Sequence, residues 1–156
     1  TKSPRLSPYP VVTVGTARIE CCFAPEDQVR FAILQEINAA QKTIDFMAFS
    51  FTSDEIAGAM ASRIGAGVRV RGIFEKRNAG SEYSRDEFLA GKGAEVRLDR
   101  NEYTMHHKVI ILDRETTVLG SYNFTNSAET KNDENVLIVR DGTLAAAYEA
   151  EFARLW

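Results

Sequence analysis

Apolar positions along the first half of the chain follow two different repeats. Residues 17–23 alternate between apolar and polar, which is typical of a half-buried strand, whereas residues 43–50 are mostly apolar and predict a buried strand. Between them apolar side chains recur at helical spacing, and Pro25 with Glu26 indicates where the helix begins. The predicted buried side of this helix comprises Val29, Phe31, Ala32, Ile33, Leu34 and Ile37.

The next segment repeats the order of helix and strand. Thr52 and Glu55 have the spacing of a capping box, and Gly65 with Gly67 supplies helix stop signals, so a second helix is predicted between them. A regular alternation of strands and helices favours a layered α/β fold. The elements predicted next are a strand at 68–74, a helix at 84–90 and a strand at 95–98.

The second half of the chain is richer in strands. Asp113 and Arg114 suit a tight turn between two of them, and the chain closes with an amphipathic helix over Thr143–Trp156. This pattern still describes one layered domain, because no internal repeat or linker divides it. The three predicted strands are 109–112, 117–119 and 136–139.

Proline usage separates the N-terminus from the rest. Three of the four prolines lie between Thr1 and Pro10, where they exclude a regular helix. We therefore expect residues 1–15 to form an extended arm and residues 16–156 to form a single domain. A chain of 156 residues is long enough for one ordinary core.

Charge and cysteine usage limit the partners only in part. The net charge of −3 argues against a surface that attracts nucleic acid everywhere, so any site for a polyanion must be local. Cys21 and Cys22 are neighbours, and strand alternation predicts that one of them is buried. Candidate contacts to nucleic acid are Lys76, Arg77 and Arg100, each with a solvated surface as the alternative interpretation.

The segment from Met105 to Val136 carries the residues with catalytic potential. In strand geometry His106 and Lys108 project from the same face, while His107 points to the other. A lysine beside a nucleophilic imidazole suits a phosphate ester, because the ammonium neutralises the non-bridging oxygens during attack. A metal site is not favoured, since there is no third histidine and the two rings diverge.

Two further sets of polar residues lie at the ends of the next predicted strands. Gly120 lets the backbone approach a ligand, and Ser121 with Asn123 supplies hydrogen-bond donors. The alternative is that Gly-Ser-Tyr-Asn at 120–123 forms an ordinary turn. Glu134 stands at the mouth of an apolar strand, where its carboxylate is placed to orient His106; a solvated acidic loop is the alternative.

Together these positions resemble the phospholipase D superfamily, whose signature is His, any residue, Lys, four residues, Asp, then six residues to Gly-Ser and a nearby Asn. The single motif and the tract ETKNDEN after GSYNFT are most similar to the small bacterial endonucleases of that superfamily. MHHK is also similar to its mitochondrial branch, but the zinc-finger Cys and His set of that branch is absent. The matching residues are His106, Lys108, Asp113, Gly120, Ser121 and Asn123, with Glu134 in a downstream Asn-x-Glu-Asn box.

The resemblance implies a mixed β-sheet between helices and a covalent phosphohistidine intermediate, without metal or other cofactor. It also implies two motifs per active site, so this chain is expected to be a homodimer. His106 of one subunit would attack phosphorus while the other His106 protonates the leaving oxygen. Lys108, Asn123 and, as a minor donor, Ser121 would stabilise the transition state. Asp113 and Gly120 are expected to be structural.

The predicted function is a non-specific endonuclease acting on single- or double-stranded DNA, with RNA as a further substrate. One alternative is phospholipid hydrolysis or phosphatidyl transfer by the same histidine, favoured if a membrane anchor lies outside this chain. Another is a nucleic-acid-binding module without activity. The chain begins at Thr1 rather than Met, so we expect that an N-terminal segment has been removed, either by processing or by deliberate truncation. The expected localisation is periplasmic or secreted, in a bacterium.

Overall fold

The computed structural model describes residues 10–156, which form one eight-stranded sheet with five helices. Residues 1–9 of the predicted arm lie outside the described residues, and the arm's boundary at residue 16 stays a prediction. The strands are β1 (Val11–Val14), β2 (Ala17–Ala24), β3 (Thr43–Ala48), β4 (Arg69–Phe74), β5 (Glu95–Leu98), β6 (Lys108–Leu112), β7 (Thr116–Gly120) and β8 (Glu134–Arg140). The helices are α1 (Val29–Ala39), α2 (Asp54–Gly65), α3 (Asp86–Gly91), α4 (Asn126–Thr130) and α5 (Gly142–Leu155).

The sheet is mixed and runs in the order β1-β2-β8-β7-β6-β3-β4-β5. Strands β3, β4 and β5 are parallel, because helices α2 and α3 carry the chain from each to the next, whereas the remaining neighbours are antiparallel. The two middle strands are β7 and β6, and the antiparallel pair β6 and β3 joins the antiparallel part of the sheet to the parallel part. This confirms the expected mixed sheet.

Helices cover both faces of the sheet. On one face α1 and α2 bury apolar side chains such as Ile33 and Ile56 against strand residues that include Phe46 and Ile110. On the other face α5 packs Phe152 over the strands. Burial of apolar surface on both faces accounts for the nearly continuous apolar sequence of β3 and β6.

Several local predictions were wrong in detail. Helix α1 begins at Val29 rather than near Pro25, so Phe31 falls on its outer side and is 58% exposed instead of buried. Helix α2 is capped by Ser53, whose Oγ accepts the Ile56 N–H at 3.3 Å, rather than by Thr52. Neither β1 nor the five-residue α4 was predicted as a strand or helix.

The cysteine and turn predictions are confirmed. Cys22 is buried and Cys21 is partly exposed, as the alternation of β2 requires. Asp113 and Arg114 form the turn between β6 and β7, with left-handed φ values of 53° and 59°. Within residues 10–156, no helix combines the length and the apolar character needed to cross a membrane.

Candidate active site

The segment from Met105 to Lys108 is fixed by three hydrogen bonds before β6 begins. The Met105 N–H donates to Glu75 Oε2 at 2.7 Å, and the His107 carbonyl accepts the Phe49 N–H at 2.8 Å. The His106 carbonyl accepts Lys108 Nζ at 2.8 Å. Because the backbone on either side of His106 is held, the position of its side chain is determined by the loops after β3 and β4.

The rings of Phe49 and His106 lie against each other, and the Lys108 ammonium lies over the same phenyl ring. The His106 and Phe49 ring centroids are 4.4 Å apart, and Lys108 Nζ is 4.7 Å from the Phe49 centroid. The structure therefore brings His106 and Lys108 together on one face, as strand geometry predicts. The cation over the ring is favoured by the negative face of the π-system.

His106 and Lys108 differ in their exposure to solvent. His106 is exposed, whereas Lys108 is only 6% exposed. Burial lowers the pKa of Lys108, and the negative charge of Glu134 offsets part of that effect. The site thus offers an accessible imidazole beside a partly desolvated ammonium, which interacts more strongly with an anion than a surface lysine would.

Glu134 is hydrogen-bonded within its own side of the site. Its Oε2 accepts the hydroxyl of Ser121, and its Oε1 accepts Asn132 Nδ2 at 2.9 Å. Ser121 Oγ in turn accepts the Asn135 N–H at 3.1 Å. The Ser121 hydroxyl therefore donates its one proton to Glu134 and not to a ligand. Glu134 acts on Lys108 through its negative charge, and it is not hydrogen-bonded to His106. Its role in orienting the ring stays a prediction.

Gly120 is required by a close approach of β7 to β8. An added Cβ would lie 2.1 Å from the carbonyl oxygen of Asn135, and the backbone there has a φ of 154°. The adjacent Ser121 N–H donates to that same carbonyl at 3.0 Å. Gly120 therefore allows the close approach of β7 to β8 that brings Ser121 within hydrogen-bond distance of Glu134.

Asn123 lies in the loop that follows β7, which runs beside the loop after β3. The Phe124 N–H donates to the Ser50 carbonyl at 3.1 Å, which ties this loop to the segment that carries Phe49. The Asn123 side-chain oxygen is buried and has no hydrogen-bond partner among the described residues. A buried polar atom without a partner is unusual, and it marks Asn123 as a group whose partner is not supplied by this part of the chain.

Asp113 occupies the opposite end of β6. Its carboxylate accepts the backbone N–H groups of Gln41, Lys42 and Thr43 at 2.7, 2.7 and 2.9 Å. Burial raises the pKa of Asp113, but these three donors outweigh it and lower the pKa overall. Asp113 thus fastens the β6–β7 turn to the start of β3, away from His106.

His107 faces the other side of the sheet. Its Nε2 lies 3.3 Å from Glu151 Oε1 of α5, and Glu151 is also bonded by Arg154 at 2.7 and 2.8 Å. The two adjacent rings therefore have different side-chain partners, Phe49 for His106 and Glu151 for His107, although both residues line one cavity. No cluster of three or more His, Cys, Asp or Glu side chains that could hold a metal ion is found in the part of the chain that the structure describes.

Two of the predicted basic contacts are hydrogen-bonded to residues that line a cavity beside His106. This cavity has a volume of about 440 Å³ and lies between the loop that precedes β6 and the end of α5. Lys76 Nζ donates to the Asn101 carbonyl at 2.6 Å, and Arg77 Nη1 donates to Thr104 Oγ1 at 2.8 Å, so both cations lie at that loop. Arg100 is exposed at the start of the same loop.

Phe49 and Glu75 are residues of the site that the sequence did not single out. The Phe49 ring contacts both the His106 ring and the Lys108 ammonium. Glu75 is 1% exposed, and its carboxylate accepts the Met105 N–H. Both follow the carboxyl ends of neighbouring parallel strands, β3 and β4. That placement is a usable signal, because ligand sites in such sheets form beyond the carboxyl ends of the strands.

Comparisons with known proteins identify the family to which this chain belongs. Residues 33–156 match a family model described as "Cardiolipin synthase, PLD-like domain". The chain is 28% identical over 148 residues to a phospholipase D of Rickettsia bellii, which spans 95% of this chain and 74% of that protein. It is 32% identical over 142 residues to a mitochondrial cardiolipin hydrolase of Chlamydomonas reinhardtii, covering 91% of this chain and 64% of that protein.

The fold is also that of a solved relative. The crystal structure of Nuc from Salmonella typhimurium, a phospholipase D family member, matches with a TM-score of 0.85 and 32% identity, over 90% of this chain and 94% of that one. Family, fold and the arrangement of His106 with Lys108 thus agree. The chain belongs to the phospholipase D superfamily and is a phosphodiesterase of that superfamily.

Proposed function

We propose that this phosphodiesterase is an endonuclease that cleaves DNA, and also RNA, without a metal ion, through a phosphohistidine at a site shared by two identical subunits. The observation that carries the proposal is that the exposed His106 ring and the buried Lys108 ammonium both contact the Phe49 ring. This arrangement places a nucleophile beside a fixed positive charge. Phosphoryl transfer needs both in one place.

The reaction proceeds in two displacements. In the first, a nitrogen of His106 from one subunit attacks phosphorus, a P–N bond forms, and the P–O bond to the leaving nucleotide breaks. His106 of the other subunit gives its proton to that leaving oxygen. In the second, this deprotonated imidazole takes a proton from water, the hydroxide attacks phosphorus, and the P–N bond breaks to restore the first histidine.

Lys108 and Asn123 stabilise the charge that develops on phosphorus. Burial keeps the Lys108 ammonium only partly solvated, so less water must be displaced when a phosphate binds. The loop that carries Asn123 is hydrogen-bonded to Ser50, next to Phe49, and the Asn123 amide nitrogen donates to the bound phosphate. Glu134 favours the charged form of Lys108, because its carboxylate raises the pKa that burial lowers.

The homodimer follows from the number of histidine roles. In a site formed by one chain, His106 alone would have to act as nucleophile and as general acid in the same step. A single ring cannot do both, so the second imidazole comes from a second chain. The exposure of His106 supports a shared site, because its ring is open to a second chain rather than enclosed by its own. A two-fold axis beside His106 would bring the two copies together.

Phospholipid hydrolysis is the second candidate, and the names of the relatives favour it. A phospholipase D and a mitochondrial cardiolipin hydrolase are among the proteins to which this chain is similar. Both reactions need the same histidine and lysine, so the geometry of the catalytic residues does not decide between them. The nucleic-acid proposal is favoured by Lys76 and Arg77, which are hydrogen-bonded to the loop before β6, and by the exposed Arg100 of that loop.

A single assay separates the candidates. Purified protein is incubated with plasmid DNA, a single-stranded oligonucleotide, an RNA oligonucleotide and cardiolipin vesicles, each with excess EDTA. We expect cleavage of the nucleic acids at rates that EDTA does not change, and slower or no release of phosphatidic acid. Loss of activity in EDTA with recovery on added Mg²⁺ or Zn²⁺ would overturn the metal-free mechanism. Turnover of cardiolipin alone would replace the nuclease by a phospholipase.

A further inference from the structure

The cavity beside His106 is positioned to hold a group attached to the scissile phosphate. One wall is formed by Asn101, Tyr103 and Thr104 of the loop before β6, and the other by Arg154 and Leu155 at the end of α5. Met105, His106 and His107 complete the lining. Any substituent of a phosphate bound at His106 that extends in this direction therefore enters the cavity.

Tyr103 presents its ring to this space almost without cover from the protein. It is 82% exposed, more than any other large apolar or aromatic side chain among the residues described. Tyr83, the next most exposed at 66%, lies in the loop before α3 and is not part of the cavity lining. An uncovered aromatic ring beside a catalytic histidine is available for stacking against a flat ligand.

The loop that carries Tyr103 is anchored at several points. Asn101 receives Lys76 Nζ on its carbonyl and donates its own Nδ2 to Asp99 Oδ1 at 2.9 Å. Thr104 accepts Arg77, and the next N–H is bound by the buried Glu75. Because the backbone on both sides of Tyr103 is fixed in advance, binding to its ring costs little ordering of the loop.

The opposite wall carries little uncompensated charge. Both donors of Arg154 that face Glu151 are paired with it, at 2.8 and 2.7 Å, so this cation is neutralised within α5. A second phosphate would gain little there. An acyl chain would contact Met105 and Leu155, but it would offer no hydrogen-bonding partner to the polar groups of Asn101, Thr104 and Arg154. A flat heterocycle with polar edges fits both the ring and these groups.

We propose that the cavity binds one unpaired nucleobase of the nucleotide next to the scissile phosphate, stacked on Tyr103, so that the preferred substrate is single-stranded nucleic acid. The inference rests on the proposed nuclease function. In a duplex the same base is paired and stacked, and it must be extracted before it reaches Tyr103. With two subunits around one phosphate, the cavity of each takes the base on one flank.

The test combines a protein change with a substrate change. Wild type, Tyr103→Ala, Tyr103→Phe and Tyr103→Trp are compared on a single-stranded oligonucleotide with one cleavable phosphodiester, and on the same oligonucleotide with abasic residues at both flanks. We expect kcat/KM of Tyr103→Ala to fall about tenfold on the normal substrate and to be unchanged on the abasic one. Phe and Trp should stay close to wild type, because both retain a stacking surface.

The matched control is Tyr83→Ala, which removes an exposed tyrosine outside the cavity and should leave both rates unchanged. Thermal melting of Tyr103→Ala should equal that of wild type, since so exposed a side chain contributes little packing. An equal loss on normal and abasic substrates, or no loss on either, would overturn the nucleobase site. So would a loss confined to cardiolipin hydrolysis. The nuclease proposal is judged separately, by whether wild type cleaves the normal oligonucleotide at all.

Discussion

The two ends of β6 carry parts of one sequence motif but are used in opposite ways. At the start of the strand the exposed His106 ring and the Lys108 ammonium lie together on Phe49. At its end both oxygens of Asp113 are occupied by backbone N–H groups of the segment that leads into β3. One end is open to a substrate, and the other binds the chain to itself.

The electrostatics of the two ends differ for the same reason. Lys108 is buried with one hydrogen bond, to the His106 carbonyl, and desolvation lowers its pKa while the charge of Glu134 offsets part of that effect. Asp113 is desolvated too, but three N–H donors stabilise its charged form and its pKa is lowered on balance. A charge that keeps unused donors can still bind a substrate, whereas a fully hydrogen-bonded charge contributes to the fold. A motif shared by a family thus combines catalytic and architectural residues.

The largest expected effect is at the start of the strand. His106→Ala should lower turnover by at least about 10³-fold, because the nucleophile and the proton donor are both removed. Its melting temperature should stay near that of wild type, since the side chain is exposed. Activity on the oligonucleotide and a thermal melt of the same sample check both halves of the expectation. Measurable turnover close to wild type would mean that His106 is not the nucleophile.

Mixing the same variant with wild type tests whether the site is shared. If each active site needs His106 from both chains, activity should fall as the square of the wild-type fraction once subunits have exchanged at random. An equal mixture would then retain about a quarter of the activity. Exchange is verified with two differently tagged chains. A linear dependence, or a fully active monomer in sedimentation, would show that one copy of the motif is sufficient.

At the other end of β6 the expected effect is on stability. Asp113→Ala should lower the free energy of unfolding by roughly 2–3 kcal/mol, because three N–H groups lose a charged acceptor, while activity per folded molecule changes little. Glu115→Ala, an exposed carboxylate in the same turn, is the matched control and should cost less than about 0.5 kcal/mol. Denaturant unfolding and active-site titration measure the two quantities.

The stabilisation by Asp113 should depend on pH in a direction set by its lowered pKa. Because the pKa is lowered in the folded state, its stabilisation is complete above the ordinary value of 3.8 and is lost as pH falls through the folded-state pKa. The stability difference between wild type and Asp113→Asn should therefore shrink in acid. A difference that grows below pH 4 would contradict the assigned hydrogen bonds.

The same contrast explains how far the sequence could predict the molecule. The sequence predicted the ends of β3, β6 and α5 to within about two residues. Burial imposes a clear pattern on each of them, an apolar run in the two strands and a helical repeat in α5. The five-residue α4 was missed, since it is too short to show a helical repeat. The start of α1 was misplaced because Pro25 precedes a turn instead of opening the helix.

Within the site, local spacing predicted neighbours along a strand but not partners from distant loops. That His106 and Lys108 share a face follows from the period of a strand. The contacts of Phe49 and Glu75 join residues that are far apart in the chain, and no local pattern encodes them. Ser121 shows the same limit, because its hydroxyl is committed to Glu134 only once β7 and β8 are paired.

Glu134 links the two kinds of residue, and its neutralisation should have an intermediate effect. Glu134→Gln removes the charge that raises the pKa of Lys108, so the alkaline limb of the pH–rate profile should move to lower pH. We expect turnover to fall about tenfold, with the fold retained, because the amide still accepts a hydrogen bond. Asp133→Asn, an exposed neighbour, should leave the profile unchanged. An unshifted profile in Glu134→Gln would mean that its carboxylate does not act on Lys108.

The smallest expected effect is at His107, which adjoins the predicted nucleophile in sequence but faces α5. His107→Ala removes a partly exposed ion pair with Glu151, which is itself paired with Arg154, so the loss of stability should stay below about 1 kcal/mol. Activity should remain within about twofold of wild type, since the ring points away from Lys108 and Phe49. His107→Gln, which keeps a donor toward Glu151, should be closer still. If His107→Ala instead lost activity as severely as His106→Ala while remaining folded, then the face of the strand would not separate the catalytic histidine from its neighbour, and the assignment of His106 would have to be made again from kinetics.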